Sequence, residues 1–299
     1  MTVAELLKKK RTISFEVYPP KDGAPLDGIR ETISRLREFR PDFFSCTFGA
    51  GGSGRGKERN LAVCDVISES GSLAVPHLTC IGSGREEIRE IARDYAKRGL
   101  SNVLALRGDI PAGQEGAGGG FARADELAAF LRAEFPELCV GCAGYPEKHL
   151  AAASMESDIA CLRSKQDSGA SFVVTQLCYD VPAFERFLER ARKAGVTIPV
   201  VAGIMPALVY DPTVRMAISN GCSIPAELAA ILGKHRDDPA ALAEAGTEHA
   251  AALARRYLAA GADGLHLYTL NKWKRIAAIM EAAGLSGREG ADFSRSAPG

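Results

Sequence analysis

Short apolar runs that break off at a polar or charged side chain recur eight times along the chain, at residues 12–17, 43–47, 74–79, 102–106, 138–143, 172–176, 199–202 and 264–267. Several are apolar at consecutive positions, as strands of a parallel sheet covered on both faces are. Helical patterns lie between them. Ile88, Ile91, Ala92 and Tyr95 occupy positions i, i+3, i+4 and i+7, as do Phe184, Phe187, Leu188 and Ala191, so each helix has a stripe to lay on the sheet. Gly99, Gly169, Gly195 and Gly261 each fall just before a strand, where glycine ends a helix in the left-handed conformation.

Helix, glycine and strand repeat at intervals of roughly thirty residues, the size of a βα unit. The pattern predicts an α/β fold, a (β/α)8 TIM barrel in one domain over residues 1–285. Residues 206–248 are too long for one unit and predict an extra helical segment between the seventh and eighth strands. Residues 286–299 are polar and rich in Gly and Ser, and are expected to form a loose tail. In such a barrel all strand C-termini converge on one face, where the chemistry is kept. Glu16, Thr47, His77, Arg107 and Gln176, which end five of the runs, then share one site.

Composition narrows the classes. With 37 basic and 37 acidic residues, 46% hydrophobic and 25% charged, the chain reads as a soluble globular protein without nucleic-acid or membrane partners. No segment has the length of a signal peptide or a membrane span, so the cytoplasm is the expected location. The eight cysteines then read as free thiols. Cys139 and Cys142 have redox or zinc spacing, but positions three apart on a strand face opposite ways, and no metal site is expected.

Four motifs carry chemistry. Gly49-Ala50-Gly51-Gly52-Ser53-Gly54 fits dinucleotide-fingerprint spacing, yet the next strand ends Pro76-His77-Leu78-Thr79, without the acid that holds a ribose. An active-site loop is the better expectation there, and again from Gly113 to Gly120. Arg107-Gly108-Asp109 combines a fork of donors, close backbone approach and a negative charge, which suits an anion or polar-ring site as well as a surface ion pair. Glu16 lies between large apolar residues before Pro19-Pro20, surroundings that disfavour the charged form and suit a general acid. His77 fits either a satisfied core histidine or a site residue.

Together the strings Ser14-Phe15-Glu16-Val17-Tyr18-Pro19-Pro20, Thr47-Phe48-Gly49-Ala50-Gly51-Gly52-Ser53, Pro76-His77-Leu78-Thr79-Cys80, Ala105-Leu106-Arg107-Gly108-Asp109-Ile110-Pro111, Gly144-Tyr145-Pro146-Glu147-Lys148-His149, Thr175-Gln176, Gly203-Ile204-Met205-Pro206 and Leu267-Tyr268-Thr269-Leu270-Asn271 resemble, in order, the catalytic domain of the methylenetetrahydrofolate reductase family. The resemblance implies a flavoprotein oxidoreductase of one-carbon metabolism and methionine supply that reduces 5,10-methylenetetrahydrofolate to 5-methyltetrahydrofolate. It implies FAD at the strand C-termini, held by Thr47, His77, Arg107, Gly108, Asp109, Tyr145, His149, Asp158 and Lys165. Folate would meet Glu16, Asp109, Gln176, Tyr268, Leu270 and Lys272, with Glu16 and Asp109 catalytic. NADH is the expected electron donor, while NADPH, a ferredoxin-linked partner subunit and homo-oligomers stay open. Cys161, Ser164 and Met216 depart from the pattern of some relatives, which have a polar Asn, a basic Arg and an aromatic there. Two rival readings are a barrel aldolase, which needs a strand-end lysine that the chain lacks, and a non-catalytic methyl-carrier partner subunit.

Overall fold

Eight parallel strands follow one another around a closed barrel: β1 (Thr12–Val17), β2 (Phe43–Cys46), β3 (Ala74–Thr79), β4 (Asn102–Leu106), β5 (Cys139–Gly144), β6 (Ala170–Thr175), β7 (Val200–Ile204) and β8 (Gly264–Tyr268). The computed structural model describes residues 1–21, 23–48, 54–108 and 119–286. Asp109, the glycine runs at 49–53 and 113–118, and residues 287–299 of the expected tail lie outside the described residues. The ring closes where β8 pairs with β1, with Glu16 beside Tyr268. All eight predicted strands are present, with ends shifted by up to two residues. β7 runs on to Ile204 because the Gly203 N–H finds an acceptor, Thr175 Oγ1, at 2.9 Å.

Helices α1 (Val3–Lys9), α2 (Asp27–Arg37), α3 (Gly54–Glu69), α4 (Arg85–Lys97), α5 (Ala124–Glu134), α6 (Met155–Asp167) and α7 (Val181–Lys193) alternate with the strands. The predicted stripes face the sheet: Ile88, Ile91, Ala92 and Tyr95 are buried, as are Phe184, Phe187 and Ala191. Each such large side chain contributes ~1.5–3 kcal/mol when fully buried. The glycines after α4, α6, α7 and the last crossover helix all have positive φ, as a left-handed helix end requires. Between β7 and β8 the single extra segment expected from sequence proves to be two helices, α8 (Tyr210–Asn220) and α9 (Ala226–Lys234), ahead of the crossover helix α10 (Pro239–Ala259). α11 (Trp273–Ala282) follows β8, and Leu285 beyond it is still buried.

The barrel interior has a mainly apolar lower layer and a polar upper one. At the bottom, α1 was not foreseen from the sequence. Thr2 and Glu5 cap it reciprocally, and the Val3 N–H donates to Asn102 Oδ1 at 2.8 Å. Its Val3 and Leu7 pack with Phe43, Val75, Leu104 and Phe172 and close the lower opening. Cys139 belongs to this inner cluster and Cys142 to the outer one, the opposite-face arrangement expected of positions three apart. All eight cysteines are free thiols. Among the described residues no helix is long and apolar enough to cross a membrane.

Candidate active site

Alternate residues of β1 face the barrel axis, so Thr12, Ser14 and Glu16 form a polar ladder that ends at the upper mouth. The Glu16 side chain is 21% exposed, and its Oε2 lies 3.5 Å from His77 Nε2 and 3.8 Å from His266 Nε2. His77, on β3, is buried. Burial pushes its pKa down to about 4, the Glu16 charge opposes that shift and His266 adds to it, so the imidazole is neutral at pH 7. The pair with Glu16 is therefore no salt bridge at that pH. Nor does its geometry make a hydrogen bond: among the described residues His77 Nε2 is a buried nitrogen without a partner.

Directly below, His266 on β8 is fully buried and stacks on Phe43, with ring centroids 5.8 Å apart. Its Nδ1 lies 2.7 Å from Ser14 Oγ and its Nε2 3.1 Å from Ser45 Oγ. The Ser14 hydroxyl donates to Leu265 O, which assigns a proton to His266 Nδ1, while Nε2 faces the Ser45 hydroxyl. Sequence reasoning missed this column of Ser14, Ser45 and His266. Its signal is the period of two that runs back from Glu16 to Ser14 and from Tyr268 to His266.

Folate-side candidates complete the same rim. Tyr268 Oη donates to Thr175 O at 2.7 Å, and burial, followed by the Glu16 charge, holds its pKa well above the usual phenol range. Gly203 makes room for that hydroxyl, since a Cβ there would lie 2.7 Å from it. Gln176 is oriented from both ends: its Oε1 accepts from the Leu177 N–H at 2.8 Å and its Nε2 donates to Asn220 Oδ1 at 2.9 Å. Asn220, on α8, was not foreseen. After β8 the backbone turns through left-handed φ values of 49° at Leu270 and 53° at Asn271. Asn271 pairs with both backbone polar groups of Tyr18, and Thr269 Oγ1 donates to Glu16 O at 2.6 Å, so this turn is stitched to the end of β1. Lys272 stands exposed at the start of α11.

A second group gathers at the ends of β4 and β5. The Tyr145 and His149 rings meet edge to face at 4.6 Å. The His149 N–H donates to Asp158 Oδ2 at 2.9 Å, and Lys165 Nζ donates to Ala143 O at 2.9 Å while lying 5.5 Å from the Tyr145 ring centroid. His149 Nδ1 accepts from the Ala151 N–H, so its own proton sits on Nε2. Burial and then the cations Arg107, Lys165 and Lys148 lower the His149 pKa, against Asp158. Burial raises Tyr145, which Lys165 and Arg107 counter. Gly108 has φ 86° and packs against Thr79, 3.0 Å from where a Cβ would stand. Thr47 follows β2, its N–H on Val17 O and its carbonyl on Asn60 Nδ2. The Tyr268 hydroxyl lies within electrostatic reach of both Glu16 and Tyr145, which joins the two groups into one mouth. The predicted site residues are thus brought together, except Asp109, which is outside the described residues, and Lys272, for which no contact with the group is seen among the described residues.

A family profile described as methylenetetrahydrofolate reductase matches residues 2–284. Methylenetetrahydrofolate reductase 1 of Schizosaccharomyces pombe is 34% identical over 93% of this chain and 47% of its own length. Methylenetetrahydrofolate reductase (NADH) 1 of Arabidopsis thaliana is 36% identical over 95% and 50%, respectively. The 5,10-methylenetetrahydrofolate reductase of Escherichia coli K12 is 32% identical over 91% of this chain and 90% of its own. The chain therefore spans about half the length of the fungal and plant relatives and nearly all of the bacterial one. Among solved structures, an uncharacterized protein from Clostridium thermocellum that binds two copies of 5-methyl-5,6,7,8-tetrahydrofolic acid shares the fold, with a TM-score of 0.61 at 15% identity over 94% of this chain and 96% of its own. A barrel whose strand ends carry these residues, matched almost from end to end, belongs to the methylenetetrahydrofolate reductase family.

Proposed function

We propose that the chain is a flavoprotein reductase that converts 5,10-methylenetetrahydrofolate to 5-methyltetrahydrofolate, with FAD as cofactor and NADH as electron donor. The observation that carries the reading is Glu16, a strand-end carboxylate facing a neutral His77 and backed by the His266 column. The NADH in the Arabidopsis relative's name supports the choice of donor.

The residues fit a dinucleotide flavin. His77 Nε2 is a buried polar atom that lacks a protein partner and that a ligand at the mouth would satisfy. Tyr145 offers an aromatic wall, and the cations near His149 suit a diphosphate. Thr47, His77, Arg107, Gly108, Tyr145, His149, Asp158 and Lys165 would hold the cofactor, which supplies a two-electron carrier when bound.

Glu16 delivers a proton to the folate amine nitrogen as its bond to the bridging carbon breaks, leaving an iminium at the other nitrogen. The iminium carbon becomes the methyl group on taking a hydride. His266 and the serines below hold the Glu16 side of the mouth in one arrangement. Gln176, fixed by Asn220 and Leu177, orients the pterin edge. Tyr268 stays a neutral phenol, and Asp109 would stabilise the iminium charge.

Loss of a general acid costs ~10²–10⁴-fold in rate. Glu16→Gln should lose folate turnover by that factor, while its FAD content and its NADH oxidation by an artificial electron acceptor stay near those of the parent. Full folate turnover in a FAD-loaded Glu16→Gln protein would overturn the assignment.

A further inference from the structure

We propose that Arg123 is the cation that grips the diphosphate of the bound dinucleotide, an assignment that rests on the flavin reading above. The ring that reacts must lie over Glu16 near the barrel axis. The anionic tail then leaves the axis through the basic sector of the mouth, where Arg107, Lys148 and Lys165 act on His149.

In that sector α6 shows a stripe at Asp158, Cys161 and Lys165, positions i, i+3 and i+7 of one helix face. Its two ends are committed: Asp158 accepts from the His149 N–H, and Lys165 donates to Ala143 O. The middle of the stripe, Cys161, brings no basic side chain to this face. Arg123, just before α5, reaches across to this gap and places Nη2 3.2 Å from Cys161 Sγ.

The arginine is held there by a built clamp. Asp125 takes its Nε at 3.0 Å and its Nη2 at 2.9 Å, and Asp125 itself is only 8% exposed. Ser164 Oγ at 2.7 Å and the Glu126 N–H at 3.2 Å donate to the same carboxylate and fix it in turn. Among the described residues Nη1 of Arg123 makes no hydrogen bond, and the side chain stays 53% exposed. An ordinary surface ion pair needs no buried carboxylate with donors from two helices. A guanidinium locked through Nε and Nη2, with its Nη1 donors left over, is set up to receive an anionic oxygen.

The test titrates apoprotein with FAD and with riboflavin, which lacks the diphosphate, following quenching of flavin fluorescence. Arg123→Gln should weaken FAD binding roughly tenfold to a hundredfold, the range of a lost charge-assisted hydrogen bond, and leave riboflavin binding unchanged. Arg123→Lys should recover part of the loss. In the parent, ADP should compete with FAD, a measurement that does not depend on how a variant folds. Unchanged FAD affinity in Arg123→Gln, equal weakening of both flavins, or no competition by ADP overturns the role of Arg123. A parent that takes up riboflavin but no FAD, or neither, instead overturns the dinucleotide reading on which it rests.

Discussion

Glu16 stands among neutral groups, whereas Tyr145 on the other side of the mouth stands among cations. Around β1, β3 and β8 the carboxylate faces a neutral His77, the phenol of Tyr268 and the His266 column. Around β4, β5 and α6, Arg107, Lys148 and Lys165 surround His149 with Asp158 as the opposing charge. The difference separates two chemistries within one ring of strand ends. A nearby guanidinium or ammonium favours an ionised carboxylate and spoils it as a proton donor. An anionic cofactor tail would need those same cations. On the proposed function, placing them on opposite arcs would let one mouth serve both.

The lower layer of the barrel provides a third reference point, because it has no polar chemistry to perform. Leu7→Ala at its floor removes a fully buried side chain and should cost ~2–5 kcal/mol of stability. Equilibrium unfolding in urea would read that loss, with FAD affinity expected to match the parent. A large drop in affinity would break the division between floor and mouth.

On the Glu16 arc, neutral His77 makes stability depend on pH. Its folded pKa, about 4, lies below the unfolded 6.5, so the unfolded chain binds the proton first as pH falls. The stability tied to the neutral form is complete above pH 6.5 and declines towards pH 4, by about 3 kcal/mol in all. Urea midpoints at pH 7 and pH 4.5 should therefore differ more in the parent than in His77→Asn. Equal differences would remove His77 as the cause.

An effect of ~1–3 kcal/mol is expected of Gly203→Ala, whose new Cβ would stand 2.3 Å from Thr175 O and 2.7 Å from the Tyr268 hydroxyl, so that overpacking would part this pair and strain the β6 backbone. It should lower the melting temperature and raise KM for the folate while leaving FAD affinity unchanged. A rise in the FAD dissociation constant would show that the two arcs are not independent.

Much of this was legible in the chain because strands and crossover helices write their own periods. The stripe from Ile88 to Tyr95 and the four helix-end glycines located βα units without any tertiary information. The residues ending the strands mark the site for the same reason, since a closed parallel barrel brings all those ends to one face. What stayed hidden depends on contacts across the barrel. His266 meets Ser14 and Ser45 from 252 and 221 residues away, and no local period reports a hydrogen bond at that separation. Arg123 reaches Cys161 over 38 residues, and Asn220 reaches Gln176 over 44. α1 is a different case: its Thr2 to Glu5 capping box was readable, but a seven-residue helix has too little periodicity to announce itself. Asp109 and most of the glycine loops, residues 49–53 and 113–118, read as site elements, fall outside the described residues.

The most direct test of the central claim follows flavin absorbance as FAD-loaded protein is mixed anaerobically with NADH and then with 5,10-methylenetetrahydrofolate. The account predicts bleaching by NADH and recovery on adding the folate, with 5-methyltetrahydrofolate as product, and bleaching without prompt recovery in Glu16→Gln. Parent protein that bleaches but never recovers with the folate, or a Glu16→Gln protein that recovers as fast as the parent, would contradict it.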